Sequence, residues 1–253
     1  MKKPSVEQYF NMHVHEPSYE LHPQFYKSTI EFIHERQQKA ARPITILDVG
    51  CGNGAFMEAA LESGISIASI VGIDVSQGMI DVAKVRLAKF QNVRLEVANG
   101  FELSETLNTK FDIIHIAWVL HHLVARTQGS SKKLAVRMIK ELLKLSSIGG
   151  IIIVEELHYK SAISPKITSK LIFYGLKLLN ALHIDGRRFM PELLHPGLEV
   201  NFFHQQELVK MLSAFGQVTI VYSGKNDIGK IMRYLLLNEF GRVTFSLAPN
   251  KTA

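Results

Sequence analysis

Residues 46–54 read Ile-Leu-Asp-Val-Gly-Cys-Gly-Asn-Gly, and Asp74 follows in a second apolar stretch, Val-Gly-Ile-Asp. An apolar strand, a glycine-rich turn and a second strand that ends in a carboxylate are typical of a nucleoside-binding βαβ unit. The three glycines allow the backbone to turn sharply and to approach a ligand without an intervening Cβ atom. A helix predicted over about 55–63 directs its N-terminal amides at that ligand, and Asp74 lies where it accepts hydrogen bonds from both hydroxyls of a ribose. The stretch therefore predicts an adenosine-type cofactor.

The charge of Asp48 distinguishes between two kinds of adenosine cofactor. Gly50, Gly52 and Ala55 also fit the looser G-x-G-x-x-A fingerprint of dinucleotide-binding proteins. A dinucleotide, however, would place its pyrophosphate beside Asp48, and the two negative charges would repel each other. S-adenosylmethionine (SAM) instead presents an ammonium and a sulfonium, and a carboxylate attracts both cations. The residues favour SAM over NAD.

The segment 47–54 closely resembles the first motif of the class I SAM-dependent methyltransferases. Residues 118–123, Trp-Val-Leu-His-His-Leu, resemble the fourth motif found in many small-molecule members, such as those of ubiquinone and menaquinone biosynthesis. Further strands are predicted at 93–97, 111–117 and 151–156. The resemblance extends over about 44–156 and implies an α/β fold. The expected sheet is seven-stranded, doubly wound and Rossmann-like, with an antiparallel last strand, an N-terminal lid and a helical insertion.

The resemblance also assigns the residues that bind the cofactor. Asp48 favours the cationic groups of the methionine part, and Asp74 binds the ribose. Asn99 and the backbone N–H of Gly100 meet the adenine, although Asp is more usual than Asn at that position. Trp118 forms a wall beside the methionine part. The complete expected set is Asp48, Gly50, Cys51, Gly52, Gly54, Asp74, Val75, Met79, Asn99, Gly100, Ala117 and Trp118.

The chemistry of methyl transfer limits the catalytic candidates. The protein mainly has to align an acceptor with the C–S bond, and an oxygen or nitrogen that begins protonated also needs a general base. His122 is the first candidate because a neutral imidazole is available near pH 7. His121 and Glu156 are the others, with Glu155 and His158 near them in the sequence. The alternative interpretation is that Leu-His-His-Leu only starts a helix or caps a loop.

The expected function is therefore methyl transfer from SAM to an oxygen or carbon of a small, partly apolar molecule, with S-adenosylhomocysteine (SAH) as the product. Two other classes of function stay open. The first is a SAM-binding regulatory or partner subunit without turnover, because a glycine loop indicates binding and not catalysis. The second is an RNA or protein methyltransferase.

Composition bears on the partners of the protein. The net charge is +6 and the isoelectric point is near 9.3, yet the basic residues are scattered along the chain. Because the sequence has no arginine-rich tract and no appended RNA-binding module, nucleic acid is not an expected partner.

Cys51 is the single cysteine, which excludes disulfides and multi-cysteine zinc sites within the chain. No metal is expected at His13 and His15, which lack accompanying ligands. The N-terminus has no apolar run of signal-peptide length, so a cytoplasmic location is expected.

The chain is predicted to divide into a lid and helix at 1–43 and a methyltransferase domain at 44–253, with a substrate-side insertion at 157–203. Apolar side chains at 165–184 form a wide helical face with three interpretations: packing on the sheet, an acceptor lid, or a peripheral contact with a membrane. A spanning helix is excluded by length and by Lys177. A homodimer also stays open. The other predicted elements are helices at 24–38, 76–90, 131–145, 204–215 and 227–239, and strands at 217–222 and 242–247.

Overall fold

The computed structural model describes residues 5–15, 23–182, 184, 198–226 and 237–250. The α-helices are α1 (Val6–Met12), α2 (Lys27–Ala40), α3 (Ala55–Glu62), α4 (Gln77–Arg86), α5 (Leu103–Thr106), α6 (Gln128–Leu145), α7 (Pro165–Ala181) and α8 (Gln205–Ser213). The strands are β1 (Ile44–Val49), β2 (Ile67–Asp74), β3 (Val93–Val97), β4 (Phe111–Ala117), β5 (Ser146–Ser161), β6 (Phe203–His204), β7 (Gly216–Asn226) and β8 (Leu237–Pro249). Single 3-10 turns occupy Pro23–Tyr26 and Leu120–His122.

The described strands form one eight-stranded sheet. Its order is β3-β2-β1-β4-β5-β8-β7, and the two-residue β6 pairs with β5 beside this path. The neighbouring pairs from β3 to β5 are parallel, whereas β8 runs antiparallel to both β5 and β7. The predicted α/β sheet with an antiparallel last strand is confirmed, and β6 is an addition to its seven strands.

Helices cover both faces of the sheet. Leu47 and Val49 of β1 belong to an apolar cluster with α5, α6 and α8, whereas Ile46 belongs to a cluster with α2, α3 and α4. This alternation follows from the period of two in a strand. Full burial of a side chain such as Ile46 stabilises the fold by roughly 1.5–3 kcal/mol. Because helices cover both faces, a ligand can approach the sheet only where the helices leave it open. In such folds this is usually at the carboxyl ends of the strands.

Helix capping explains several boundaries. Ser76 caps α4, as predicted, with its Oγ accepting a hydrogen bond from the N–H of Met79 at 3.2 Å. The helix ends at Arg86, four residues before the predicted end. Thr127 caps α6 by accepting from the N–H of Ser130 at 3.2 Å, so this helix begins three residues earlier than predicted.

The C-terminal part differs most from the predictions. Helix α8 ends at Ser213, two residues before the predicted end, and Gly216 is the first residue of β7. The prediction of a helix at 227–239 lies outside the described residues up to 236, and it is wrong for Leu237–Glu239, which begin β8. These residues form a strand because β5 continues to Ser161, where Lys160 pairs with Glu239 and Ser161 pairs with Leu237.

Helix α7 buries one side and exposes the other. Ile172 and Phe173 are buried, whereas a row of apolar side chains on α7 remains exposed: Ile167, Leu171, Tyr174 and Leu178. Ile163 before the helix and Leu182 after it are also exposed. Across the ranges that the structure describes, each helix is too short or too polar to cross a bilayer.

Candidate functional site

A cavity of about 1120 Å³ lies at the carboxyl ends of β1, β2 and β4. Pockets for single small ligands usually measure about 300–1,000 Å³. The cavity therefore has room for a nucleoside cofactor together with a second small molecule.

Eleven of the twelve residues expected to bind the cofactor line this cavity. They are Asp48, Gly50, Cys51, Gly52, Asp74, Val75, Met79, Asn99, Gly100, Ala117 and Trp118. Gly54 does not line it. A Cβ at Gly54 would lie 3.0 Å from Leu87 Cδ1 and 3.2 Å from the Cβ of Ala83, and its φ is +81°. Gly54 therefore serves the turn into α3 and its packing against α4.

The glycine loop is held by Asp74. One carboxylate oxygen of Asp74 accepts from the N–H of Gly52 at 2.9 Å, and the other accepts from the N–H of Ser76 at 2.9 Å. Burial raises the pKa of Asp74, against the effect of these N–H groups. Because a carboxylate has about four acceptor positions, capacity remains for two hydroxyl donors. A Cβ added at Gly52, where φ is +51°, would meet no atom within 4 Å, so the loop leaves open space on the side of the cavity.

A buried chain of charges lies below the loop. The carboxylate of Asp48 lies 2.7 Å from His115 Nδ1, and Glu155 Oε1 lies 3.3 Å from His115 Nε2. The hydroxyl of Thr29 donates to Glu155 at 2.5 Å, and Phe56 stacks on the imidazole with ring centroids 3.7 Å apart. Burial alone lowers the pKa of His115, but the two carboxylates outweigh burial and raise it to about 9. The imidazolium then donates to both carboxylates, and the three groups together carry one negative charge.

This charge distribution fits a cationic ligand. Asp48 lines the cavity, and its Oδ2 atom is buried without a hydrogen-bond partner among the described residues. A buried acceptor without a partner is unfavourable by about 1–3 kcal/mol, and an ammonium would supply the missing donor. A pyrophosphate would face a buried net negative charge at the same place.

Trp118 adopts a strained backbone at the end of β4. Its φ is +55°, in the left-handed region that bulky residues rarely adopt. Its N–H donates to the carbonyl of Glu155 at 2.9 Å, and the edge of Phe25 packs against the indole with ring centroids 5.0 Å apart. Such strain is unfavourable by about 1–3 kcal/mol and is concentrated at functional sites. The strain turns the chain sharply, so that Trp118 and the residues after it reach the cavity.

The catalytic candidates occupy two layers. His121 and His122 line the cavity, with ring centroids 4.0 Å apart. Glu156 does not line the cavity; it is buried behind His121, where one oxygen lies 2.5 Å from His121 Nδ1 and the other accepts from the His121 N–H at 3.1 Å. Glu156 therefore orients His121 and does not itself reach a bound molecule. Glu155 and His158 are also absent from the cavity lining, and burial lowers the pKa of His158 to about 4.

Several residues that line the cavity lie outside the expected set of cofactor-binding and catalytic residues. From the N-terminal segment and the turn after it come Ser5, Val6, Glu7, Phe10, Phe25 and Tyr26, and from the C-terminal strands come Tyr222, Gly224 and Arg242. His115 was also missed, although a histidine within an apolar strand is a visible signal. Arg242 gave no such signal, because its place depends on the pairing of β5 with β8.

The N-terminal histidines are in part outside the described residues. His13 stacks on Tyr9 with ring centroids 4.1 Å apart, and a ring N–H of His13 donates to the Tyr9 carbonyl at 2.7 Å. His22 lies outside the described residues. Within the part of the chain that the structure describes, no three His, Cys, Asp or Glu side chains form a group that could hold a metal ion.

The fold and the site can be compared with known proteins. Demethylmenaquinone methyltransferase from Tropheryma whipplei is 28% identical over 171 residues, which are 68% of this chain and 65% of the relative. The ubiquinone biosynthesis O-methyltransferase of Pseudomonas fluorescens is 31% identical over 94 residues, 37% of this chain and 38% of the relative. The matches thus span less than two thirds of these relatives.

A solved structure has the same fold. The N-methyltransferase NodS from Bradyrhizobium japonicum, in complex with SAH, superposes with a TM-score of 0.58 at 15% sequence identity, covering 98% of this chain and 100% of that one. A family model described as a methyltransferase domain matches residues 42–216, which include the whole glycine loop and the strands from β1 to β6. The chain therefore belongs to the methyltransferase domain family.

Proposed function

We propose that the chain is a class I SAM-dependent methyltransferase that methylates an oxygen or carbon of a small, partly apolar molecule and releases SAH. The observation that carries the proposal is the cavity itself. It combines the glycine loop, the ribose-type carboxylate of Asp74 and the buried negative charge at Asp48 with a volume larger than one cofactor needs.

The chain has residues for each part of the cofactor. Asp48 would bind the ammonium, Asp74 the ribose hydroxyls, and Asn99 with Gly100 the adenine, with Met79 against its ring. Bound SAM supplies an activated methyl group on a sulfonium, so the protein's own task is to bind, orient and exclude water.

The remaining part of the cavity would hold the acceptor. Its walls are rich in aromatic side chains, among them Phe10, Phe25, Trp118 and Tyr222. His122 lines the same space and contacts the edge of Phe10, with ring centroids 5.5 Å apart. We assign His122 as the general base for an acceptor that begins protonated. The relatives named for demethylmenaquinone and ubiquinone biosynthesis support a small acceptor with an apolar body.

The test is formation of SAH by the purified protein with SAM and a panel of phenolic and quinol acceptors. Wild-type protein should release SAH, and His122→Phe should lower kcat by about 10²-fold or more while SAH affinity stays unchanged. His34→Phe, at a partly buried histidine of α2 that does not line the cavity, is the control. SAH binding without any SAH formation would instead favour a regulatory subunit. Activity that depends on added RNA or protein, and that nuclease or high salt removes, would favour a macromolecular substrate.

We further propose that α7 contacts an anionic membrane surface. Ile167, Leu171 and Leu178 belong to its exposed apolar row and are 52%, 53% and 59% exposed, respectively. The helix contains lysines and no acidic residue, and Lys166 and Lys170 are exposed. An apolar face beside basic residues is the composition of an interfacial helix. None of the residues that line the cavity comes from α7, so this helix supports a contact surface better than an acceptor lid.

Vesicle sedimentation tests this contact. Wild-type protein should sediment with vesicles of phosphatidylcholine and phosphatidylglycerol more than with phosphatidylcholine alone. Leu178→Asp should abolish this without lowering Tm, because its side chain is exposed. Ile220→Asp, an exposed apolar position on β7 that is 49% exposed, is the matched control. Absence of wild-type sedimentation would contradict the membrane contact, and gel filtration would then show whether the row pairs two copies of the chain.

We keep the cytoplasm as the proposed location. The single cysteine, Cys51, is buried as a free thiol in the glycine loop, which is consistent with a protein that needs no oxidising compartment. Fractionation of the source cells would test the location.

A further inference from the structure

Arg242 brings a positive charge to the acceptor side of the cavity. It lies on β8 opposite Leu157 of β5, two residues beyond Glu155, and both Arg242 and Leu157 line the cavity. The guanidinium donates from Nη1 to the carbonyl of Phe25 at 2.9 Å. Its Cζ atom lies 3.5 Å from the ring centroid of Phe25 and 4.9 Å from that of Tyr222. Two aromatic rings therefore fix the plane of the guanidinium.

This guanidinium has no ion-pair partner among the described carboxylates. The charge of Arg242 acts on Glu155: burial raises the pKa of Glu155, but His115, Thr29 and Arg242 outweigh burial and lower it. Yet Glu155 is already hydrogen-bonded to His115 and Thr29 and forms no ion pair with Arg242 within 4.0 Å. A guanidinium offers five N–H donors in a planar fork that matches a carboxylate. Only one of these donors is accounted for by the bond to Phe25.

Aromatic and apolar side chains accompany Arg242 in the cavity wall. Phe25, Trp118, Tyr222 and Leu157 all line the cavity, and Phe25 packs its edge against Trp118. Aromatic walls favour a planar apolar body, and a fixed guanidinium at their margin favours an anionic oxygen pair.

We propose that Arg242 determines acceptor specificity, and that the acceptor carries a carboxylate on a planar, aromatic body. This inference rests on the proposed methyltransferase function, because it assigns the second part of the same cavity. The guanidinium binds the carboxylate through paired N–H donors, and the aromatic side chains enclose the ring.

The probes are 2-naphthoate and its neutral amide, 2-naphthamide, titrated by calorimetry into protein saturated with SAH. The two molecules share the ring and differ in charge. Wild-type protein should bind the naphthoate at least about tenfold more tightly than the amide. Arg242→Gln should abolish this preference and leave the affinity for the amide unchanged. Arg242→Lys should keep part of it, since lysine retains the charge and loses the fork.

Arg137→Gln is the matched control. Arg137 also stacks on a phenylalanine, with its Cζ 4.8 Å from the ring centroid of Phe101, but it does not line the cavity. This variant should retain the full preference for the naphthoate.

The outcomes separate the two levels of the proposal. Failure of wild-type protein to bind SAH would overturn the proposed function. Normal SAH binding with equal affinities for the two probes, or with neither probe bound, would overturn the role of Arg242 alone. A lower Tm for Arg242→Gln with equal loss of both probes would show that Arg242 only clamps Phe25, and this also contradicts the inference. The wild-type comparison stands even if that variant fails to fold.

Discussion

His115 lies between Asp48 and Glu155, and all three side chains are almost completely buried. Burial of one unpaired charge is strongly unfavourable, but a cation between two anions is compensated on both sides. The arrangement holds Asp48 in place and leaves one of its oxygens for a ligand. The cavity therefore has a fixed negative charge before any ligand arrives, which is the condition for binding a cation without reorganisation.

The pH dependence of stability tests this arrangement in the ligand-free protein. His115 has its pKa raised to about 9 in the folded state, above an unfolded value of about 6.5. The protonated His115 therefore contributes its full stabilisation of the folded state below pH 6.5, and this stabilisation is lost as the pH rises through 9. The free energy of unfolding should fall by on the order of 1–3 kcal/mol over that range, and His115→Gln should remove this fall. Denaturant titrations at several pH values measure the free energy of unfolding, with His34→Gln as the control. If the free energy of unfolding falls by the same amount in His115→Gln as in the wild-type protein, His115 is not the cause of the fall.

Gly52→Val tests the glycine loop. The added branched side chain would enter open space at the cavity, so SAH binding should fall by more than about 10²-fold while the protein stays folded. Gly64→Val is a matched control, because Gly64 also has a positive φ, +83°, and no atom within 4 Å of an added Cβ. Calorimetry and Tm on both variants measure the effect. Normal SAH binding by Gly52→Val would contradict the place of the loop.

The sequence allowed some site residues to be predicted and not others. Asp48 and Asp74 follow from a local motif, since Asp48 is the penultimate residue of β1 and Asp74 is the last residue of β2. His115 and Arg242 reach the cavity through pairing with strands distant in the sequence. Such contacts depend on strand register, which a local pattern does not give.

Helix α1 lies beside the cavity and is joined to the start of α4. Its residue Asn11 accepts hydrogen bonds at Oδ1 from Ser76 Oγ at 2.8 Å and from the N–H of Gly78 at 3.0 Å. These bonds join α1 to the start of α4, and Phe10 on the same helix lines the cavity. We propose that α1 acts as a lid over the cofactor and acceptor.

Asn11→Ala should release this lid. SAH should dissociate faster, by about threefold to tenfold, and turnover should fall because water and misaligned acceptors enter. The Tm should change little, since the core sheet is untouched. Stopped-flow displacement of SAH measures the rate, and deletion of residues 1–20 should give a larger change in the same direction. Asn92→Ala removes a comparable bond, from Asn92 Nδ2 to the carbonyl of Ile67, far from α1, and serves as the control. An unchanged dissociation rate in both the variant and the deletion would contradict the lid.

Elements with their own local signals were easier to predict than those defined by pairing. Ser76 and its helix follow from a cap and an apolar period that the sequence contains. The first residues of β8 have no such signal, and their strand conformation follows from pairing with the far end of β5. Likewise, the apolar pattern of α7 predicts a helix with a wide apolar face, but only the structure shows which part of that face is exposed.

At the scale of the whole molecule, the covered sheet places the site. Helices occupy both faces, so a ligand can enter at the strand ends, where β1 and β2 bring the carboxylates of Asp48 and Asp74 to the cavity. The fold class could be predicted because the order of motifs along the chain determines the parallel part of the sheet. The identity of the acceptor could not, because the residues that we propose to face it come from α1, the turn before α2, β7 and β8, which no motif connects.

Calorimetric titration of the wild-type protein with SAM, SAH and NAD tests the central claim most directly. We expect SAM or SAH to bind in the micromolar range, roughly −7 to −8 kcal/mol, and NAD to bind far more weakly because of the buried charge at Asp48. Asp74→Ala should weaken SAH binding by about 1.5–3 kcal/mol through loss of charged hydrogen bonds, with the exposed Asp81→Ala as the control. Tight binding of NAD, with none of SAM or SAH, would contradict the account.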